Sequence, residues 1–506
     1  MEFSRRSVLA GAAIGGGLAI GWALWPRSYP PNLVAAEGES IFNAWLKIGD
    51  DGHVTVVVPQ VEMGQGSYTV IPQMIADELG ADWRTIAVEP APLNPAYANT
   101  VFAREWHEGW WPEGDIQATG GSSTVRAFEL VARRAGAAAR ALLCKAAARR
   151  WDADWLACDT EGGFVIRGDD RLRFGELAEE AARERLPKDI PLRTGAGMNR
   201  LTGRGMNRLD IPAKLDGSAN FAGDIRLPDM VYAAIRQGPL GDSVLKSVDR
   251  KAAAGIPGIL DIVESERWVA AVASNWWAAN RALDALRPKF LNRDRYASDR
   301  AIDRALKAAL DNEGTRIAEA GDVETALENA RVSTAEYSVG LAPHAAIEPL
   351  TATASLVGGK LQLWIATQLP GLARDAAARA VGLDTDDVTV HPMLIGGSFG
   401  RKYEVDIAGQ VATLAQKLKR PVQLTWSRAE DLMHEPFRPA ARARMSARLG
   451  RAGQIDGWLA SIAAPNAMGE LRSRTLGGRS ANEAREVQAG RAHLHAVEGA
   501  APAYAI

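Results

Sequence analysis

Two glycine-bracketed stretches decide how this chain is read: Val61-Glu62-Met63-Gly64-Gln65-Gly66-Ser67-Tyr68-Thr69 near the amino end, and Ile395-Gly396-Gly397-Ser398-Phe399-Gly400-Arg401-Lys402 far downstream. Each lies between an apolar strand-like run and a run with helical spacing. There glycine permits a tight turn and lets backbone amides approach a bulky anion. One such loop is ordinarily plain structure, whereas two with matching flanks point to a pair of cofactor loops. Before the first loop, Val54-Thr55-Val56-Val57-Val58 is a β-branched strand; after it, residues 70–79 repeat apolar side chains at helical spacing until Gly80 stops them. The second loop follows a strand at 361–366, a helix at 371–381 and a strand at 388–392. A helix at 407–418 and a strand at 422–426 come after it.

Between the loops the pattern keeps alternating. Residues 86–89 read as a strand, and 94–114 form an irregular stretch carrying Trp106, Trp110 and Trp111. Thr119-Gly120-Gly121-Ser122-Ser123-Thr124 then leads into an alanine-rich helix over 125–151. Its hydroxyls and small residues suit an anion at the helix start, and they equally suit simple capping. Residues 186–217, rich in Gly, Arg and Pro, read as a linker. A smaller α+β unit begins at about residue 209 and includes a strand at 268–273 and a helix at 274–286, and a charged, helix-prone connector covers 292–330.

Composition narrows the class. A chain of 506 residues with 47% hydrophobic content makes several domain-sized units with substantial cores. Its 59 basic and 61 acidic residues leave a net charge of -2, which provides no field to hold nucleic acid. The two cysteines, Cys144 and Cys158, cannot ligate an iron–sulfur cluster and do not have zinc spacing. They read as unpaired thiols, with a disulfide open to an exported protein. Export is suggested by Ser4-Arg5-Arg6-Ser7-Val8-Leu9, a twin-arginine pair before an uncharged run over 8–25. A membrane anchor is the alternative reading, and Val34-Ala35-Ala36 is the candidate cleavage site.

Taken together, Glu62-Met63-Gly64-Gln65-Gly66 with Thr69 and Gln73, the pair Thr367-Gln368, and the loop 396–402 resemble the molybdenum-cofactor segments of the xanthine oxidase family of molybdenum hydroxylases. In most of that family the two glycine loops occur in the opposite order. The permuted order, His344-Ala345-Ala346-Ile347-Glu348-Pro349 and the stretch 420–428 resemble the isoquinoline 1-oxidoreductase and membrane-associated aldehyde dehydrogenase branch. The resemblance implies an α+β fold of cofactor-binding domains with an inserted α/β-hammerhead-like domain. The corresponding divisions are a signal and linker over 1–36, a first molybdopterin-binding region over 37–200, the hammerhead-like domain over 201–300, and a second molybdopterin-binding region over 301–506.

By the same resemblance, the molybdenum is held by a pterin dinucleotide, the cytosine form in relatives, with no protein side chain as metal ligand. Gln368 and the backbone around Ser398, Phe399 and Gly400 would donate hydrogen bonds to the metal centre. Gly64, Gln65, Gly66, Gly121, Ser122 and Ser123 would hold the pterin and its phosphates, alongside Gly396, Gly397 and Arg401. The implied reaction is hydroxylation of an aldehyde or N-heteroaromatic carbon with water. Electrons would leave through a small partner subunit carrying two-iron two-sulfur clusters, and on to a cytochrome c.

His344 and Glu348 are four apart, but Pro343 and Pro349 break any helix that would pair them, so they read as structural or pocket residues. His391 reads as a satisfied strand residue. The family's glutamate base lies in a Gly-Val-Gly-Glu-like segment near the carboxyl terminus, and no such segment is present. Glu62, Glu348 and Glu404 are substitutes without distinguishing context. This leads to the expectation of a shortened chain, either a non-catalytic remnant or one piece of a split subunit. The export motif has a direct test. Replacing Arg5 and Arg6 with lysine is expected to hold the protein in the cytoplasm with its fold unchanged; undiminished periplasmic or membrane recovery of the double variant would rule out twin-arginine transport.

Overall fold

The computed structural model describes residues 32–106, 116–194, 200–293, 297–467 and 470–471. The twin-arginine stretch, Trp110, Trp111 and the final residues of the chain lie outside them. By contacts the chain divides into two units, Met1–Arg226 with Thr353–Gly397, and Leu227–Ala352 with Ser398–Ile506. The division falls after Arg226, so residues 201–226 pack with the first unit. Helices and sheets are mixed in both units, in keeping with the α+β class.

In the first unit, strands Glu39–Asn43, Leu46–Gly49, Val54–Val58 and Ile86–Pro90 form a sheet in that order. The last pair is parallel because helix Ser67–Leu79 makes the crossover between them. That helix starts at Gly66 (φ 89°) and stops at Gly80 (φ 75°), both left-handed positions that glycine adopts without strain. The long helix Thr124–Arg150 packs on it at very short range. A Cβ on Gly136 would stand 2.4 Å from the Ile75 carbonyl oxygen, so the small-residue stripe of the long helix is a packing face. A further group of strands in this unit, from Thr353 onward, includes Lys360–Ile365 parallel to Val388–Pro392, joined by helix Pro370–Val381.

The stretch expected to be a linker behaves differently. Helix Ser67–Leu79 buries the carboxylates of Asp77 and Glu78, and buried carboxylates need donors. The stretch supplies them: Leu201 N donates to Asp77 (2.8 Å), Thr202 Oγ1 to Asp77 (2.6 Å) and Arg193 N to Glu78 (3.0 Å). The Arg193 guanidinium also bonds Asp159 at 2.9 Å. This segment is a strap over the core. Gly, Arg and Pro made it look like a connection because its described residues before helix Ile211–Asp216 form no helix or strand.

In the second unit, strands Ile259–Glu264, Trp268–Ala273, Val231–Gln237 and Val422–Thr425 lie in that order. Helix Trp276–Leu286, capped by Asn275, buries Ala278, Ala279, Ala282, Leu283 and Leu286 with them. A separate three-stranded sheet joins Val332–Val339, Ala441–Leu449 and Ile455–Ala463. Its two faces differ. Arg442 and Arg444 bind Asp303 and Asp311 of helix Asp299–Asp311, both at 2.7 Å, and that helix covers their face. The register puts Tyr337, Ala443 and Ile462 on the opposite face with Ala335, Met445 and Ala460. On that face Tyr337 is 61% and Val339 62% exposed. Exposed apolar sheet surface of this kind takes up hydrophobic dyes and promotes association. The chain is therefore expected to enhance anilinonaphthalene sulfonate fluorescence, and the double substitution Tyr337→Lys, Val339→Lys is expected to abolish most of the enhancement. Undiminished fluorescence in that variant would move the dye site elsewhere.

Candidate functional site

In the first unit, four segments far apart in sequence are tied together by direct hydrogen bonds. Val61 N donates to Thr119 Oγ1 (2.9 Å), Thr119 N donates to the Gln368 carbonyl (3.1 Å), and Gln368 Nε2 donates to the Thr119 carbonyl (2.8 Å). Ile395 N donates to the Glu62 carbonyl at 3.0 Å. Beneath these bonds Val61, Ala366 and Ile395 share a small apolar cluster with Ala222. The first glycine loop, the 119–124 turn, the Thr367-Gln368 pair and the first-unit start of the second loop at Ile395 thus meet at one place. Gln368 is 2% exposed, and its amide orientation is fixed by Thr119.

The first loop is organised by its own glutamate. Glu62 is fully buried, and its carboxylate accepts from Gly64 N (2.7 Å), Gly66 N (3.1 Å), Ser67 Oγ (3.1 Å), Tyr68 N (3.0 Å) and Arg208 Nη2 (3.0 Å). The sequence suggests that these glycine amides face an external anion, but the anion they meet is Glu62. Gln65 is also turned inward: its side chain accepts from Met63 N and donates to the Val61 carbonyl, both at 2.7 Å. What the loop offers outward is space. A Cβ on Gly64 (φ 107°) or Gly66 (φ 89°) would meet nothing within 4 Å.

At the 119–124 turn, Gly121 (φ 60°) and Ser122 (φ 49°) are both left-handed. Ser123 is fully buried; its hydroxyl donates to the Gly120 carbonyl (2.6 Å) and accepts from Asn99 (2.7 Å), so it shapes the turn from inside. The long helix that follows has no side-chain cap and no acidic residue in its first turn. Its leading amides therefore present the positive end of the helix dipole.

The second loop leaves the first unit at Gly396 and Gly397 (φ 87°). In the second unit Ser398 is 1% exposed and its hydroxyl accepts from Lys402 N at 2.9 Å. Phe399 (φ 57°) is 64% exposed, and Gly400 has φ 104°. The side chains that follow point into this unit: Arg401 binds Asp431 (3.2 Å) and lies over the Trp426 ring, and Lys402 binds Glu348 (2.8 Å). Burial pushes the Lys402 ammonium down and the Asp431 carboxyl up, each opposed by its partner. Of the three glutamates considered as bases, Glu62 is spent on its loop and Glu348 on Lys402.

His344 lies outside any helix, and its Nδ1 hydrogen-bonds to Glu435. His391 stacks on Trp364 (centroids 4.9 Å apart) and bonds Gln362 at 2.6 Å, as a satisfied strand residue does. His391 and Trp364 face a cleft of about 1180 Å³ in the first unit. Cys144 and Cys158 are both unpaired, and burial raises the Cys144 thiol to about 12.

Sequence reading missed Asp431, Glu435, the junction role of Thr119 and the clamp role of Glu62. Only the last left a local signal, a carboxylate placed two and four residues before the glycines whose amides it binds. Converting Glu62 to Gln would set an amide N–H₂ against donors. The variant is expected to lose about 3–5 kcal/mol, the cost of breaking a buried ionic cluster. Thermal unfolding indistinguishable from wild type would show that the clamp does not hold the loop.

Two matches to the family described as a molybdopterin cofactor-binding domain cover residues 309–470 and 5–103. Isoquinoline 1-oxidoreductase subunit beta of Brevundimonas diminuta is 28% identical over 83% of this chain and 60% of its own length. The membrane-bound aldehyde dehydrogenase [pyrroloquinoline-quinone] of Gluconacetobacter polyoxogenes is 27% identical over 88% of this chain and 58% of its own. The chain thus spans well under two thirds of the length of these curated relatives. Among solved structures, quinoline 2-oxidoreductase from Pseudomonas putida 86 aligns over 49% of this chain and 37% of its own, at 18% identity and a TM-score of 0.39. The cofactor-binding domains, met in one chain together with relatives similar along most of its length, settle the kinship: the chain belongs to the xanthine oxidase family of molybdenum hydroxylases.

Proposed function

We propose that this chain is the molybdopterin-binding part of an oxidoreductase large subunit that hydroxylates an aldehyde or an N-heteroaromatic carbon, with water as the oxygen source. The observation that carries this reading is the hydrogen-bonded junction of residues 61–62, Thr119, Gln368 and Ile395, which joins the first glycine loop to the start of the second within the first unit. The residues fit the cofactor. Open space over Gly64 and Gly66 leaves room for a flat pterin, and the uncapped helix start beside Gly121 and Ser122 suits its phosphates. When bound, the cofactor supplies the two-electron oxidation. The chain's residues would orient it: Gln368, held by Thr119 in the first unit, and the 398–400 backbone in the second would each offer hydrogen bonds, and amides and hydroxyls do so without titrating.

The cytosine dinucleotide form belongs to the same proposal, as do the permuted loop order and the inserted hammerhead-like domain. The quinone in one relative's name is not carried over, because both domain matches are to molybdopterin binding. Two unpaired cysteines cannot hold clusters, so a small subunit with two-iron two-sulfur centres takes the electrons, with a cytochrome c as the next acceptor. The twin-arginine stretch supports placement in the periplasm or on the periplasmic face of the inner membrane.

Gly397 provides the test. At φ 87° a branched residue is strained, and it would also put a side chain where the backbone approaches the cofactor. In the chain purified with its partner subunit, Gly397→Val is expected to lose most of its molybdenum and its oxidation of aldehydes or heteroaromatic compounds. Metal content equal to that of the parent would overturn the assignment.

A further inference from the structure

The cleft of about 1180 Å³ lies wholly within the first unit and runs along two strand edges. It is lined by every residue of strands Ile86–Pro90 and Val388–Pro392, whereas a cleft over a sheet face would meet alternate residues. Each strand is the last of its row. Among the described residues Ile86–Pro90 pairs with Val54–Val58 alone, and Val388–Pro392 with Lys360–Ile365 alone. The hydrogen bonds show which backbone groups point away. Ala91 N donates to the Val58 carbonyl (2.9 Å) and Met393 N to the Ile365 carbonyl (3.0 Å), so odd-numbered residues face the existing sheet and even-numbered ones face outward.

The two edges match. The amides of Ile86 and Val388 are taken by the turns before them, on the carbonyls of Trp83 and Thr385, and each strand ends at a proline, Pro90 or Pro392. This leaves the Val88 and Val390 amides, with the even-numbered carbonyls, as the outward set. Val390 is 6% exposed, and its amide has no partner among the described residues. A buried amide left unpaired costs about as much as a lost hydrogen bond. The charges along the cleft disfavour a polyanion: Glu89, Asp210 and Asp386 stand against one base, Arg374, which Asp375 holds at 3.1 Å. Burial lowers the proton affinity of His391. Val88, Trp364 and Met393 add apolar wall.

We propose that this cleft receives one extended, proline-free strand of the polypeptide that makes up the rest of the large subunit. The proposal rests on reading the chain as part of such a subunit, and says where the other part docks. A strand can pair with residues 86–90 along one edge and 388–392 along the other, setting alternate side chains against the apolar wall. A helix cannot, because its backbone groups bond internally. The stretch just before Asn32, itself at the cleft, holds Pro26, Pro30 and Pro31 and is unsuited to a strand paired on both sides. The two curated relatives carry length enough. They align with this chain over 60% and 58% of their own, leaving each a domain-sized stretch outside the shared part.

The test compares the 506-residue chain produced alone with the complex isolated from its source cells. Three measurements are made: molybdenum content, hydrogen–deuterium exchange over 86–90 and 388–392, and photo-crosslinking from benzoylphenylalanine placed at Thr389, an exposed cleft position. In the complex both strands should exchange about tenfold more slowly than in the chain alone. The crosslink should fall in large-subunit sequence outside these 506 residues. Val390→Pro removes an amide that the chain itself does not use. It should leave thermal unfolding near that of wild type and weaken retention of that polypeptide by about tenfold, the worth of one hydrogen bond. Equal exchange in the two samples would overturn the docking even with molybdenum present. So would a crosslink to a second copy of the chain, to the iron–sulfur subunit or to no polypeptide, or undiminished retention in Val390→Pro. A complex without molybdenum would instead refute the proposed function, and the docking with it.

Discussion

The carboxylate of Glu62 is the constraint on which the first unit's site depends. It is a full charge taken out of water, a cost of several kcal/mol that only dense hydrogen bonding offsets. Five donors within 3.1 Å do so: three backbone amides, a hydroxyl and the Arg208 guanidinium. Hydrogen bonds to a charged group contribute about 1.5–3 kcal/mol each. They fix the turn at Gly64 and Gly66 and satisfy the start of helix Ser67–Leu79, whose Gly66 cap has no side chain. The carbonyl of the same residue receives Ile395 N, so one amino acid shapes the first loop and sets the approach to the second. A loop held by an internal anion is formed before any ligand arrives, which removes the ordering cost from binding.

The second unit anchors its share of the second loop by another device. Arg401 and Lys402, 2% and 1% exposed, are drawn inward onto Asp431 and Glu348 and pull on the loop from its carboxyl side. Such pairs contribute little net stability once desolvation is counted, but they define geometry, because removing either partner leaves a buried charge. Phe399 pays no such cost and stands outward at a strained φ. The arrangement keeps charges behind the loop and an apolar side chain in front of it.

Much of this was legible in sequence, for definite reasons. The alternation of β-branched runs with helical spacing located the strands and helices around both glycine loops and at 268–286, since local propensity and burial agree there; strands such as Glu39–Asn43, Phe164–Arg167, Val332–Val339 and Ala441–Leu449 were not read. Gly80 and the 119–124 turn marked ends correctly because left-handed positions leave a residue signature. The strap formed by residues 186–194 and 200–210 was not legible as part of the core. Its role comes from Asp77 and Glu78 on a distant helix, and no local pattern announces which buried carboxylates a guanidinium or hydroxyl will meet. The same holds for Glu435: the distance in sequence between it and His344 hides a contact that only the fold creates. Gln368 and the glycine loops were legible as a set. The hydrogen bonds among them were not, and the loop amides turned out to face an internal carboxylate.

The division between titrating and non-titrating groups gives the site its physical logic. The groups proposed to meet the cofactor are backbone amides, an amide side chain and hydroxyls, none of which changes charge between pH 5 and 9. The ionised groups that hold them, Glu62, Arg208, Arg401 and Asp431, are paired. Pairing opposes the shift that burial imposes, as Arg401 and Arg428 do for Asp431. A site built this way keeps its geometry across the pH range in which proton transfer varies.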